Sequence, residues 1–165
     1  QVFETAINRQ HREYSRAGRA WCWHTMPPFI LQQRLKGGRF VGRLMGEAPP
    51  DYLVVADGRL YMIEAKSFKG PRFPWANVKP HQARALAAID AHASGWLLIR
   101  SVQFGEVAAI RWDRIAPDWD EWRSHKATNQ RAPVGSASIA WGELRGRASV
   151  VLKWPNCDYL AVLDV

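Results

Sequence analysis

Asp51, Glu64 and Lys66 flank an Asp57-Gly58 dipeptide set between two apolar runs. Asp-Gly between β-rich segments predicts a two-residue hairpin turn. With the turn at 57–58, the numbers of paired residues add to 115, so Asp51 falls opposite Glu64. Directly opposed side chains lie about 5 Å apart, and Lys66, two residues beyond Glu64, shares its face. Two carboxylates this close repel, and one must hold its proton unless a cation intervenes. A divalent metal with hard oxygen ligands resolves the conflict. Mg²⁺ suits it, with Mn²⁺ as a substitute, because it takes one or two carboxylates and a phosphate oxygen. Lys66 would then orient the attacking water or stabilise developing phosphate charge. The plainer alternative is that Lys66 neutralises Asp51 and Glu64 on a solvated face.

The whole chain is compatible with a polyanion as partner. It has 165 residues, 47% of them hydrophobic, which suits one domain with its own core. That composition excludes disordered, collagenous and low-complexity classes. Lys and Arg outnumber Asp and Glu by 23 to 15, a net charge of +8. Seventeen of the 23 cations are Arg, whose forked guanidinium grips phosphate at two points. The Arg bias equally suits a GC-rich or thermophilic source, a bacterium or its phage. Residues 1–50 carry +5 of the charge. Cys22 and Cys157 lack CxxC spacing and are expected as buried thiols, not a zinc site. No apolar run approaches the roughly 18 residues of a membrane span, and the N-terminus shows no signal region. A soluble, intracellular protein with no membrane partner is the expectation.

The elements that must position these residues follow from pattern. Residues 3–17 predict a helix with Phe3, Ala6, Ile7 and Tyr14 on one face and Gly18 as its stop. A short strand is expected at 20–24. Residues 29–47 form a basic excursion in which 30–35 has helical character but Gly37-Gly38 breaks regularity. The hairpin strands span 51–56 and 59–66. A loop at 67–79 leads to a helix from Pro80 to about Ala93, with Gly95 as its stop. Strands are expected at 96–101 and 105–112, a short acidic helix at 113–122, a polar loop at 124–135, and weaker strands at 137–141 and 148–154. Helices interleaved with strands make an α/β fold with a mixed central sheet flanked by helices.

Pro50-Asp51 followed by Glu64-Ala65-Lys66 fits the PD-(D/E)XK nuclease pattern. The surrounding chain resembles one branch of that superfamily, the RecU-type Holliday junction resolvases. The resemblance rests on Phe3-Glu4 with Ile7-Asn8 and Tyr14, on the central hairpin, and on Phe73-Pro74-Trp75-Ala76-Asn77 leading to His81-Gln82. It continues through Gly95-Trp96-Leu97-Leu98-Ile99 and Asp158-Tyr159-Leu160. It covers nearly the whole chain, less closely at 25–48 and 123–147.

The resemblance implies a restriction-endonuclease-like nuclease domain over 1–165, with a protruding stalk at about 25–48. It implies a metal-dependent endonuclease that nicks four-way DNA junctions symmetrically, as a homodimer, leaving 5′-phosphate and 3′-hydroxyl ends. Asp51 and Glu64 would be metal ligands, Lys66 the catalytic lysine, Glu4 a further acidic ligand, direct or through water, and Gln82 a residue lining the metal or water site. Glu4 also suits a helix N-terminus, where a carboxylate opposes the macrodipole, and Gln82 a helix-start hydrogen bond. DNA contacts are expected from Arg9, Arg12 and Arg16 on the first helix and from Arg34, Lys36, Arg39 and Arg43 in the excursion. Lys69, Arg72 and His81 are expected beside them. Trp21, Trp23, Trp75, Trp96 and Trp112 are expected in the core or a dimer contact. Two other readings stay open: a restriction or repair endonuclease of the same superfamily acting on duplex or single strands, and a non-catalytic DNA-binding protein on the same fold.

Overall fold

The computed structural model describes residues 2–26, 28–44, 46–88, 93–128 and 135–160. The first helix, α1 (Val2–Arg16), buries Phe3, Ile7, His11 and Tyr14, a stripe spaced by three and four. Strand β1 (Trp21–His24) follows, then a separate hairpin of β2 (Phe29–Arg34) and β3 (Phe40–Leu44). Next come β4 (Tyr52–Ala56) and β5 (Arg59–Phe68). Their turn has positive φ at both Asp57 (49°) and Gly58 (74°), the two-residue hairpin geometry that Asp-Gly favours. Tyr52 pairs with Ile63 and Ala56 with Arg59, so the register adds to 115 throughout.

Strand β6 (Arg72–Pro74) lies within the segment expected as a loop, and α2 (Pro80–Ala87) follows it. Then come β7 (Ala93–Ser101), β8 (Glu106–Arg111), α3 (Ala116–Ala127), β9 (Ser138–Ala140), α4 (Trp141–Arg147) and β10 (Val150–Lys153). The central sheet has the order β1-β4-β5-β7-β8-β10. Only β5 and β7 pair in parallel in it, across the crossover that contains α2; the other pairs are antiparallel. Strand β6 pairs with β9 in a small second sheet.

The central sheet separates two cores. Tyr52, Val54, Tyr61 and Ile63 face α1 together with Trp96, Leu98 and Tyr159. Phe68, Leu97, Ile99 and Ile110 face α2, α3 and α4, whose Leu86, Trp119, Trp122 and Trp141 cover them. This is the α/β architecture with a mixed sheet and flanking helices, consistent with a restriction-endonuclease-like fold.

Several expectations need correction. Residues 29–34 form a strand, not a helix; positive φ at Gly37 and Gly38 turns the chain back into β3. Helix α2 ends at Ala87, and Gly95 lies inside β7, so it is no helix stop; residues 89–92 lie outside the described residues. The acidic helix starts at Ala116 and runs to Ala127, so the expected loop at 124–135 begins as helix, and its 129–134 part is not described. Helix α4 was not expected at all. Cys157 is buried but Cys22 only half so. Trp75, Trp96 and Trp112 are buried, whereas Trp21 and Trp23 are 54% and 56% exposed and stack on each other at the sheet edge. Within the described residues no helix is long and apolar enough to cross a membrane.

Candidate nuclease centre

Asp51 sits in the bend before β4, one residue short of the paired ladder. Its Oδ2 accepts the backbone N–H of Ala65 at 2.9 Å, which ties it across the hairpin to the strand that carries Glu64 and Lys66. Tyr61 and Ile63 point into the α1 core, so alternation along β5 puts Glu64 and Lys66 on the opposite face, towards α2.

Glu64 is 1% exposed. Its Oε1 accepts from Lys66 Nζ and from Gln82 Nε2, both at 2.6 Å. Burial drives its carboxyl up to about 7; Lys66 opposes that rise and the Asp51 carboxylate adds to it. The second oxygen, Oε2, is buried and makes no hydrogen bond. A buried acceptor without a donor is costly, and a cation relieves it. Two neighbouring carboxylates, one with a buried oxygen that lacks a donor, suit a hard divalent ion, so the residues present fit the metal that the motif implies.

Gln82 does two jobs. Its Oε1 accepts the Lys79 N–H at 2.9 Å at the start of α2, while its amide nitrogen donates to Glu64. The helix-start bond thus fixes which end of the amide faces the carboxylate.

Glu4 is exposed on the first turn of α1, and α1 packs on the sheet face opposite Glu64. Among the described residues no three His, Cys, Asp or Glu side chains gather to hold a metal, so the structure does not add Glu4 to the Asp51–Glu64 pair as a direct third ligand. Its charge is felt at Tyr52, whose buried, unpartnered hydroxyl is held well above the ordinary tyrosine range by burial, then by Asp51, then by Glu4.

The expected DNA contacts fall into groups. Arg12 and Arg16 are exposed and border a recess with Asn8, Ser15 and His24; Arg9 is 3.9 Å from Glu13. Arg34, Lys36, Arg39 and Arg43 lie along the exposed β2–β3 hairpin, with Arg34 over the Phe40 ring. Lys69 is exposed just past β5. Arg72 spends its guanidinium on Ser138 and the Gly135 carbonyl, so it anchors a turn. His81 is half-buried, 3.9 Å from Glu47.

Two residues near the centre had no sequence signal. Thr25 hydrogen-bonds to Pro50 and Asp51 from a distant strand end, and Glu47 pairs with Arg84 at 2.7 Å. Only the pairing of β1 with β4 brings Thr25 to Asp51, and no local pattern encodes that pairing.

A protein-family model described as Recombination protein U matches residues 1–140. No curated protein matches the chain.

Proposed function

The chain belongs to the RecU family of Holliday junction resolvases, and from that premise we propose that Asp51, Glu64, Lys66 and Gln82 form its nuclease centre. The family makes it an endonuclease that binds four-way DNA junctions and nicks them. The observation that carries the assignment of the site is the buried Glu64: one oxygen held by Lys66 and Gln82, the other without a donor, beside Asp51.

In this reading Asp51 and Glu64 hold Mg²⁺, with Mn²⁺ as a substitute. Bound there, the ion supplies a Lewis acid to the phosphate and acidifies water. Lys66 favours the ionised form of Glu64 and offers its ammonium to the charge that grows on the phosphate. Gln82 holds Glu64 in one rotamer from α2. Cleavage leaves a 5′-phosphate and a 3′-hydroxyl. The basic hairpin and the Arg12–Arg16 edge of α1 grip the DNA backbone, so shape rather than base sequence selects the substrate.

The working unit is a homodimer, because a four-way junction presents two equivalent strands and symmetric nicking needs two centres. The exposed Trp21–Trp23 pair on the open sheet edge and the exposed apolar residues of the hairpin supply surface for it. The test is cleavage of a synthetic four-way junction and its matched linear duplex, with Mg²⁺ or with a chelator. Metal-dependent, paired nicking of the junction alone is expected. Equal cleavage of linear duplex, or full activity in chelator, overturns the reading.

A further inference from the structure

We propose that Thr25 and Glu47 are positioning residues that link the β2–β3 hairpin to the two carboxylates, so that seating of the hairpin in a junction sets the geometry of cleavage. The proposal rests on the site assignment above and concerns how that site is held.

The hairpin stands apart. Its strands pair with each other and with no strand of the central sheet. Ile30, Leu31, Phe40 and Val41 are all exposed along it. Its orientation is therefore set where its two legs enter the body, and by whatever surrounds it.

Both legs end at the nuclease centre. The first leaves β1 at Thr25. The second runs from β3 through Glu47 and Pro49-Pro50 into Asp51. Proline has no N–H, so the two residues ahead of Asp51 offer only carbonyls as anchors. Thr25 takes two successive ones: its hydroxyl donates to the Pro50 carbonyl, and its N–H donates to the Asp51 carbonyl at 2.9 Å. Asp51 lies outside the β4–β5 ladder, so this clamp and the Ala65 N–H are what hold it.

The second leg reaches the other carboxylate. Glu47 is 2.7 Å from Arg84 and 3.9 Å from His81, residues of α2 two after and one before Gln82, which donates to Glu64. The ion pair is exposed and weak by itself. The Thr25 clamp is half-buried and carries more of the link. A displacement of the hairpin thus acts on Asp51 through the first leg and on Glu64 through the second. Misplacing reacting groups by an ångström costs rate far more than it costs binding.

The experiment uses the full chain and single-turnover cleavage of a four-way junction at saturating protein, with junction affinity, melting temperature and Mg²⁺ midpoint measured alongside. T25V keeps shape and the backbone bond but removes the hydroxyl donor. It is expected to cleave about 10- to 100-fold more slowly, at unchanged affinity, with a higher Mg²⁺ midpoint. T25S is expected to restore the rate, and E47Q to give a smaller loss of the same kind. A second arm replaces the hairpin by a short Gly-Ser turn, alone and with T25V. If Thr25 transmits hairpin seating, the double variant is no slower than the shortened one. A wild-type rate in T25V, failure of T25S to restore it, or additive losses in the double variant each overturn the proposal. E64Q is the control on the site itself: full cleavage by E64Q refutes the site assignment, whereas an inactive E64Q with a fully active T25V refutes only the link.

Discussion

Gly95 runs so close to Leu86 that a Cβ added there would lie 2.1 Å from the Leu86 carbonyl oxygen. The last turn of α2 therefore rests directly on the backbone of β7, and this contact fixes the depth at which α2 presents Gln82 to Glu64. The obstacle is main chain, so no rotamer change relieves it. Gly95→Ala is expected to cost about 3 kcal/mol of stability. It should also slow cleavage in whatever fraction stays folded, because α2 must lift. Urea unfolding and cleavage per folded molecule measure the two effects.

Glu64→Gln keeps the shape of the side chain and removes its charge. Cleavage is expected to fall about 100-fold or more, with junction binding retained in a gel-shift assay. Mg²⁺ should raise the melting temperature of the wild type by mass action and leave that of the variant unchanged.

Lys66→Met removes the ammonium that holds the Glu64 carboxyl down against burial. Cleavage is expected to drop about 100- to 1,000-fold. What remains should need a higher pH than the wild type, because Glu64 then keeps its proton longer. A pH–rate profile of the variant checks the direction of the shift.

His11 is buried in α1, hydrogen-bonded to the Tyr159 hydroxyl and edge-on to the Tyr52 ring. Burial first, then the nearby His24, pulls its pKa down to about 4. The unfolded chain takes up this proton near the ordinary 6.5 while the folded chain refuses it until about 4. Stability is therefore unaffected above the upper value and declines as pH falls between the two, by up to about 3 kcal/mol. Urea unfolding at pH 7 and pH 4.5 measures the loss, and His11→Gln should lessen its pH dependence.

Sequence and structure agree best where the determinants are local. Asp57-Gly58 dictates a turn, the turn dictates the register, and the register brings Asp51 and Glu64 together. The hairpin of β2 and β3 was harder to read because its residues face solvent on both sides, so Ile30 and Leu31 show no in-out alternation. Helix α4 contains Gly142 and Gly146, which mask its propensity; the burial of Trp141 and Leu144 and the Trp141 indole on Glu106 hold it instead. Gly95 looked like a helix stop because spacing alone does not separate a C-cap from a close backbone contact. Trp21 and Trp23 were expected in the core or a dimer contact; β1 is a sheet edge and both are exposed, which leaves only the second of these. Thr25 and Glu47 act through neighbours brought close only by the tertiary fold.

The parallel pairing of β5 with β7 bears on how the protein is made. Asp51, Glu64 and Lys66 belong to one short hairpin, whose contacts close small loops and form early. Gln82 and the wall of β7 that bury Glu64 arrive only after the crossover through α2 has closed. An emerging chain therefore carries both acids on a strand pair still open to water, without the amide and the apolar cover that hold them in place. The two acids reach their final setting only once α2 and β7 have closed over the hairpin.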